Sequence, residues 1–318
     1  MRKITKIWLI IAVALIVIGG VIFAAILSQS NWDFTTLSTV NYQTKTYTSL
    51  EQFNDIAIET ETADITFLFS ENDSTKVVCY EMEKVPHSVS FDGGKLTIRD
   101  TDQRQWFDHI GISFVAPKIT IYLPKSEYGA LNISTTTGGI FIPQDFQFES
   151  IHISGTTGDI DSSATVSGAF TVKLTTGNIS VKNAIIGSLD LTTTTGRTTL
   201  SDVTCSGDIR TNVSTGKVNL ANIRCINFST DGSTGDISLE NVIADKQMII
   251  NRSTGDVKIK DSDANSLNIQ LDTGNVTGNL LTGKIFTVES DTGKIRVPEN
   301  SPGGICVITT STGDILIS

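Results

Sequence analysis

Four aspartates occupy equivalent positions in a repeated sequence, and carboxylates are the groups of this chain best suited to catalysis or metal binding. Each of them directly follows the glycine of a Thr-Gly pair; they are Asp159, Asp236, Asp256 and Asp314. Two carboxylates about 5–9 Å apart can hydrolyse a glycosidic bond, and carboxylate oxygens also bind Ca²⁺. Asp236 and Asp256 come from adjacent repeats and are the pair to consider. Their neighbours in the column are Lys217 and Asn275. This mixture of residues favours ordinary solvent-exposed turn residues over a catalytic pair or a Ca²⁺ site.

The four cysteines offer a second kind of chemistry. Cys205 and Cys225 each lie nine residues after a turn glycine, so we expect them to stack on adjacent turns within disulfide reach. A buried thiol pair and a disulfide both remain open. Cys306 occupies a core position and Cys79 lies outside the regular repeats, and neither has a partner at metal-ligand spacing. The sequence therefore predicts no catalytic residue, no metal ligand and no cofactor.

An aromatic pair stands out in the polar run DTDQRQWFD at 100–108. One interpretation is a polar loop with a single buried aromatic ring. The other is a contact surface for a partner, formed by Trp106 and Phe107. His87 and His109, on either side of this run, are interpreted as isolated residues with local hydrogen bonds.

A repeat of nineteen or twenty residues organises most of the chain. Ten Thr-Gly pairs recur at steps of 19 or 20 residues. We predict that they form a structural turn ladder, because glycine tolerates positive φ and close approach of backbone. The pairs are Thr137 and Gly138, Thr157 and Gly158, Thr176 and Gly177, Thr195 and Gly196, Thr215 and Gly216, Thr234 and Gly235, Thr254 and Gly255, Thr273 and Gly274, Thr292 and Gly293, and Thr312 and Gly313.

The residues around each pair repeat as well. Apolar side chains recur seven and five residues before most of the glycines and two residues after them. Alternate positions share one face of a strand, so each repeat is a short strand, a turn and a second strand. Such a unit buries its apolar face only by stacking on its neighbours. The prediction is an all-β fold, a parallel β-solenoid of about ten turns and roughly 45–50 Å. Propeller blades need about 40 residues, and the leucine-rich template is missing.

The two ends of the solenoid are expected to differ. Thr62, Ala63 and Ile65 fit the template with alanine in the glycine position, and the register is then lost until about Pro117. We expect a first turn followed by an inserted antiparallel β cap that covers the N-terminal edge. The chain stops inside a strand after Gly313, so we expect an open C-terminal turn capable of end-to-end self-association.

An uncharged apolar segment of 21 residues, Ile7–Leu27, follows three basic residues. This length suits a membrane-spanning helix, and the positive-inside rule places the N-terminus in the cytoplasm and the rest outside the cell. A cleaved secretory signal is the alternative. The predicted segments are a basic cytoplasmic N-terminus (1–6), a transmembrane signal-anchor helix (7–27), a polar spacer (28–50), a first turn with a β cap (51–130) and the solenoid repeats (131–318).

The pattern resembles the bacterial putative-adhesin family, a β-strand-repeat domain of unknown function in cell-envelope proteins. The resemblance rests on IAIETETADITF (57–68), ITIYLP (119–124) and the repeats STTTGG and TTGDI, and it covers about 51–318. It implies a right-handed solenoid outside the cell, found in some cases beside envelope-stress signalling systems. It supplies no catalytic residue.

Composition restricts the function further. The net charge is −10 and no basic patch is present, which argues against nucleic-acid binding. Trp and Tyr do not occur after residue 130, which argues against a sugar-gripping groove. We predict a non-enzymatic, single-pass cell-membrane protein whose extracellular rod contacts another envelope protein or a wall component in envelope organisation or stress response. The alternative is a surface adhesin, and a polysaccharide-active enzyme comes third.

Overall fold

The computed structural model describes residues 3–29, 32, 40–105 and 115–318, which form one helix and one continuous β-sheet of 23 strands. The helix, α1, spans Lys3–Gln29. Within it, Thr5–Gln29 has a hydropathy of 3.1, so by length and composition this helix can cross a membrane. The same test is passed by a secretory signal near an N-terminus.

The strands fall into an N-terminal group and a long series of repeats. The first group is β1 Tyr42–Ser49, β2 Asp55–Thr62, β3 Asp64–Phe69, β4 Thr75–Met82, β5 His87–Asp92, β6 Lys95–Asp100 and β7 Lys118–Leu123. The series is β8 Glu127–Thr137, β9 Ile140–Ile142, β10 Gln147–Thr157, β11 Ile160–Ser162, β12 Thr165–Thr176, β13 Ile179–Thr195, β14 Thr198–Cys205, β15 Ile209–Thr215, β16 Val218–Thr234, β17 Ile237–Thr254, β18 Val257–Thr273, β19 Val276–Leu280, β20 Lys284–Thr292, β21 Ile295–Arg296, β22 Gly304–Thr312 and β23 Ile315–Ile317.

Each Thr-Gly pair joins two strand segments into one rung of a parallel stack. The register repeats the sequence period, as in Leu189 opposite Ile209 and Ile209 opposite Phe228. These side chains point inward, and all three are at most 2% exposed. Burial of a side chain of this size contributes about 1.5–3 kcal/mol, and a single rung gains it only when rungs lie above and below. The predicted all-β parallel solenoid is confirmed.

Asparagine and aspartate form a second corner, six residues after the turn glycines. Five of them adopt a left-handed backbone with φ between 49° and 58°; they are Asn183, Asp202, Asn222, Asn241 and Asp261. Short polar side chains tolerate this conformation better than other non-glycine residues. The side chains also bond along the rod: Asn222 Nδ2 donates to Asp202 Oδ1 at 2.8 Å, and Asn241 Nδ2 donates to Asn222 Oδ1 at 3.0 Å. These bonds satisfy polar groups at a corner that faces solvent.

The N-terminal end departs from the expected antiparallel insertion. β6 and β7 form a further parallel rung, in which Leu96 pairs with Ile56 and Ile119 with Ile65. The first rung in the chain, β2 with β3, therefore lies inside the stack, between this rung and β8–β9. The antiparallel strands are β5 on β6, β4 on β7 and β1 on β4. Residues 42–49 of the expected polar spacer are thus part of the cap.

The last rungs are also stacked out of chain order. β22 pairs with β18 on one side and β20 on the other, and β23 lies between β19 and β21. The backbone bonds agree, because Gly274 N–H donates to Thr312 O and Gly313 N–H donates to Thr292 O. The prediction of an open C-terminal turn is therefore wrong. The final strands are internal, and β20–β21 form the outermost rung.

Two buried cations reach across glycines that face them in neighbouring rungs. Lys284 pairs with Gly304 of the β22–β23 rung, and its Nζ lies 2.5 Å from Asp263 Oδ1 in β18. Arg252 pairs with Gly232, and its Nη1 donates to Val213 O at 2.6 Å two rungs away. A Cβ on Gly232 would lie 1.9 Å from that nitrogen, so glycine is required for the bridge. The Lys284 ion pair ties the outermost rung to β18 and favours the observed rung order.

Candidate functional site

The Thr-Gly pairs line one corner of the rod, and their glycines stack directly on one another. Nine of the ten have φ between 131° and 154°, and Gly293 in the outermost rung is the exception. A Cβ on Gly158 would lie 2.0 Å from Gly138 O, and one on Gly216 would lie 1.7 Å from Gly196 O. Both the backbone conformation and the contact distance therefore exclude any side chain here. At the outermost rung Thr292 Oγ1 donates to Thr312 Oγ1 at 3.3 Å, a hydroxyl contact between successive threonines.

The four aspartates after the turn glycines act as acceptors between rungs. In each case one carboxylate oxygen accepts the backbone N–H of the residue in the same position of the next rung. The bonds are Asn178 N–H to Asp159 Oδ1 (2.7 Å), Asp256 N–H to Asp236 Oδ1 (3.3 Å), Asn275 N–H to Asp256 Oδ1 (2.9 Å) and Lys294 N–H to Asp314 Oδ1 (2.8 Å). The last of these bonds again follows the spatial order of the rungs.

Asp236 and Asp256, the pair considered for catalysis or Ca²⁺, carry further bonds. Asp236 Oδ2 lies 2.8 Å from Lys217 Nζ, and Asp256 Oδ1 also accepts Asn275 Nδ2 at 3.0 Å. The hydrogen bond from Lys217 and the backbone bond from Asp256 lower the pKa of Asp236. Both oxygens of Asp236 are thus engaged by protein donors, which gives this carboxylate a structural role in the ladder.

Substitution of Asp256 distinguishes a structural acceptor in the turn ladder from a Ca²⁺ or catalytic site, which would need the negative charge. An amide oxygen still accepts both bonds from Asn275, so Asp256→Asn should change the free energy of unfolding by less than about 0.5 kcal/mol. Asp256→Ala removes the acceptor and should cost about 1–2 kcal/mol. Thermal unfolding with and without millimolar Ca²⁺ measures both effects. A rise in the melting temperature with Ca²⁺ that Asp256→Asn abolishes would contradict the structural role.

The cap holds a buried charged cluster that the sequence interpretation missed, because His87 is not isolated. His87 Nδ1 lies 2.9 Å from Glu81 Oε2, and His87 Nε2 lies 2.8 Å from Asp100 Oδ1. His87 is 3% exposed and Glu81 0%. Glu81 also receives the His87 backbone N–H at 2.6 Å and lies 3.3 Å from Lys45 Nζ. The three residues come from β4, β5 and β6, so the cluster joins three strands.

The two carboxylates beside His87 favour the charged form of its imidazole. Burial alone lowers its pKa, but the hydrogen bonds to Asp100 and Glu81 outweigh burial and raise the pKa above the ordinary value. Burial raises the pKa of Asp100, and the bonds from His87 and from the Glu61 backbone reverse this and lower it. Nδ1 lies at hydrogen-bond distance from Glu81, whereas Nε2 contacts Asp100 as an ion pair.

Cys79, Glu81 and His87 are also the one group within the described residues that could hold a metal ion, since one ligand atom of each lies within 4.8 Å of the others. Burial and the Glu81 charge raise the pKa of the Cys79 thiol to about 12, which disfavours the thiolate that a metal needs. Glu81 and His87 already satisfy each other. The donor set fits an ion-pair network better than a metal centre.

The other sequence-predicted residues are placed as follows. Cys205 and Cys225 are buried free thiols, as are Cys79 and Cys306. Burial raises the pKa of Cys225 to about 12. Trp106 and Phe107 lie outside the described residues, and their contact role stays a prediction.

Comparison with known proteins agrees with this architecture. A family model described as Toastrack DUF4097 matches residues 53–213 and 207–318, which include every rung of the stack. The chain belongs to the Toastrack DUF4097 family. The predicted resemblance is confirmed. No curated protein matches the chain.

Several solved structures are similar to this Toastrack chain. A putative adhesin from Bacteroides fragilis is 16% identical over 87% of this chain and 97% of its own, with a TM-score of 0.46. A putative lipid binding protein from Parabacteroides distasonis is 17% identical over 77% and 98%, with a TM-score of 0.46. A putative adhesin from Parabacteroides merdae is 12% identical over 86% and 96%, with a TM-score of 0.41.

Proposed function

We propose that this protein is a non-enzymatic, membrane-anchored interaction module that organises the cell envelope or takes part in its stress response. The proposal rests on the structural role of the carboxylates that follow the turn glycines. Asp159, Asp236, Asp256 and Asp314, the acidic groups aligned for chemistry, each bond a backbone N–H of the neighbouring rung. Such a rod acts through the surface that it presents.

The anchor and its orientation belong to the same proposal. α1 is long and apolar enough to span a bilayer, and Arg2, Lys3 and Lys6 precede most of its apolar length. The positive-inside rule then places the cap and the rungs outside the cell. The described residues form twelve rungs, ten with a Thr-Gly pair plus β2–β3 and β6–β7. With about 4.8 Å between strands, these rungs span roughly 55 Å. That length favours contacts near the membrane over contacts beyond a thick wall.

An exposed residue on the side of the rod is a suitable position for crosslinking to a partner protein. Ile185 is 65% exposed in the middle of the stack, whereas its neighbour Ile186 is 1% exposed. A photo-crosslinking amino acid at position 185 of the full-length protein in cells should capture a discrete membrane or signalling protein, identified by mass spectrometry. The same residue at position 186 is the control and should capture nothing outside the chain.

The crosslinking result separates the proposal from its alternative. Capture of a defined envelope protein at position 185 but not at 186 supports the interaction module. Recovery of wall polymer or foreign surface material, with no membrane partner, would support an adhesin and contradict the proposal.

A further inference from the structure

The outermost rung leaves one edge of the sheet unpaired. Within the described residues, β20 pairs only with β22, and β21 pairs only with β23. Every rung between this one and the cap has a parallel neighbour on both sides. The Phe286 N–H on this edge donates to Asn300 Oδ1 at 2.8 Å. The other backbone groups of β20 that face away from β22 are available to another strand.

The apolar side chains of this rung are also incompletely covered. Phe286 and Val288 occupy core positions but are only partly buried, and Ile295 is 45% exposed. In the adjacent rung the equivalent residues Cys306, Ile308 and Ile315 are each 0% exposed. The end of the rod thus presents the surface that one rung normally presents to the next.

We propose that this end is an interface through which two copies of the chain associate. A surface with the width and apolar spacing of a rung is best matched by another rung of the same repeat. The opposite end is closed by the antiparallel strands β1, β4 and β5, so copies cannot stack head to tail. Contact between like ends is isologous and closes after two subunits.

The charges of the outermost rung are complementary to themselves under such a two-fold axis. Glu289 and Asp291 precede the turn, Lys294 and Arg296 follow it, and all four are exposed. An axis through the turn between Thr292 and Gly293 runs each strand antiparallel to the opposite half of the partner rung. Asp291 then faces the partner's Lys294, Glu289 faces the partner's Arg296, and Val288 faces the partner's Val297.

Cysteine crosslinking at the turn tests the contact directly. Thr292→Cys places a thiol on the proposed axis, and Thr234→Cys places one at the same turn position in mid-rod. Both positions are exposed, and the native cysteines are all buried. With the purified full-length protein in detergent, a short bis-maleimide should join Thr292→Cys into covalent dimers and leave Thr234→Cys monomeric. Equal yields from the two variants would overturn the proposal.

Charge reversal tests the specificity of the pairing. Asp291→Lys alone sets like charges opposite each other twice per dimer and should raise the dissociation constant about tenfold in analytical ultracentrifugation. The double variant Asp291→Lys with Lys294→Glu exchanges the charges and should restore association. A wild-type protein that stays monomeric at high concentration, or that pairs this edge only with a different protein, would overturn the second-copy assignment.

Discussion

Gly138→Ala should destabilise the rod severely, whereas Gly139→Ala, one residue further along, should be nearly silent. A Cβ at Gly138 would lie 1.9 Å from Ala63 O of the adjacent rung, and φ at this glycine is 146°. The substitution therefore needs both a displaced rung and a backbone conformation that alanine avoids. A Cβ at Gly139 meets its nearest atoms at 3.6 Å, an ordinary contact.

The expected difference is large enough to measure by thermal unfolding of the full-length protein. Gly138→Ala should cost about 3–5 kcal/mol, from backbone strain and overpacking together. This corresponds to a fall of roughly 10 °C in melting temperature, or to a protein that fails to fold. Gly139→Ala should stay within about 0.5 kcal/mol of wild type. Equal losses at the two positions would show that stacking of the turn glycines is not what limits the fold.

Much of the rod follows from its sequence because one physical requirement recurs in every rung. Ten turn positions hold glycine, with Ala63 in the equivalent position of β2–β3, and the inward positions need apolar side chains, so the period appears directly in the chain. The Asn and Asp corner obeys the same logic. Asn222 and Asn241 each lie six residues after a turn glycine and adopt positive φ, and that spacing could have revealed them.

The spatial order of the last rungs could not be predicted from the sequence period. Rungs of one repeat present nearly the same surface, so placing β22 next to β18 buries the same kinds of residues as chain order would. The choice depends on particular contacts such as Lys284 with Asp263. A lysine in a strand and an aspartate 21 residues earlier carry no signal that identifies them as a buried pair.

The His87 cluster was hidden for a different reason. Glu81, His87 and Asp100 lie on three cap strands, and their meeting depends on the antiparallel register of β5 on β6, which pairs His87 with Asp100. That register is set by the hairpin and not by the repeat. Single titratable residues at irregular spacing therefore gave no pattern.

His87→Gln should open the cap while leaving the rungs beyond it folded. The substitution removes the positive charge between Glu81, which is fully buried, and Asp100, whose side chain is 13% exposed. Loss of one partner from a buried ion pair costs about 3–5 kcal/mol. Arg99→Gln is the matched control, because Arg99, next to Asp100 in β6, forms an exposed pair with Glu59 in β2. Its loss should cost under about 1 kcal/mol. Hydrogen exchange of the full-length protein would report faster exchange in β4, β5 and β6 for His87→Gln only.

The pH dependence of the cap's stability tests whether the charge on the His87 imidazole causes the loss expected for His87→Gln. Because the pKa of His87 is raised in the folded state, its contribution is complete below the ordinary histidine value of about 6.5 and is lost as pH rises through the folded pKa. Because the pKa of Asp100 is lowered, its contribution is complete above about 3.9 and is lost as pH falls through the folded pKa. The stability difference between wild type and His87→Gln should therefore be greatest between about pH 4 and 6.5 and shrink at higher pH. A difference that stays constant from pH 5 to pH 9 would assign His87 a packing role and remove the charge from the explanation.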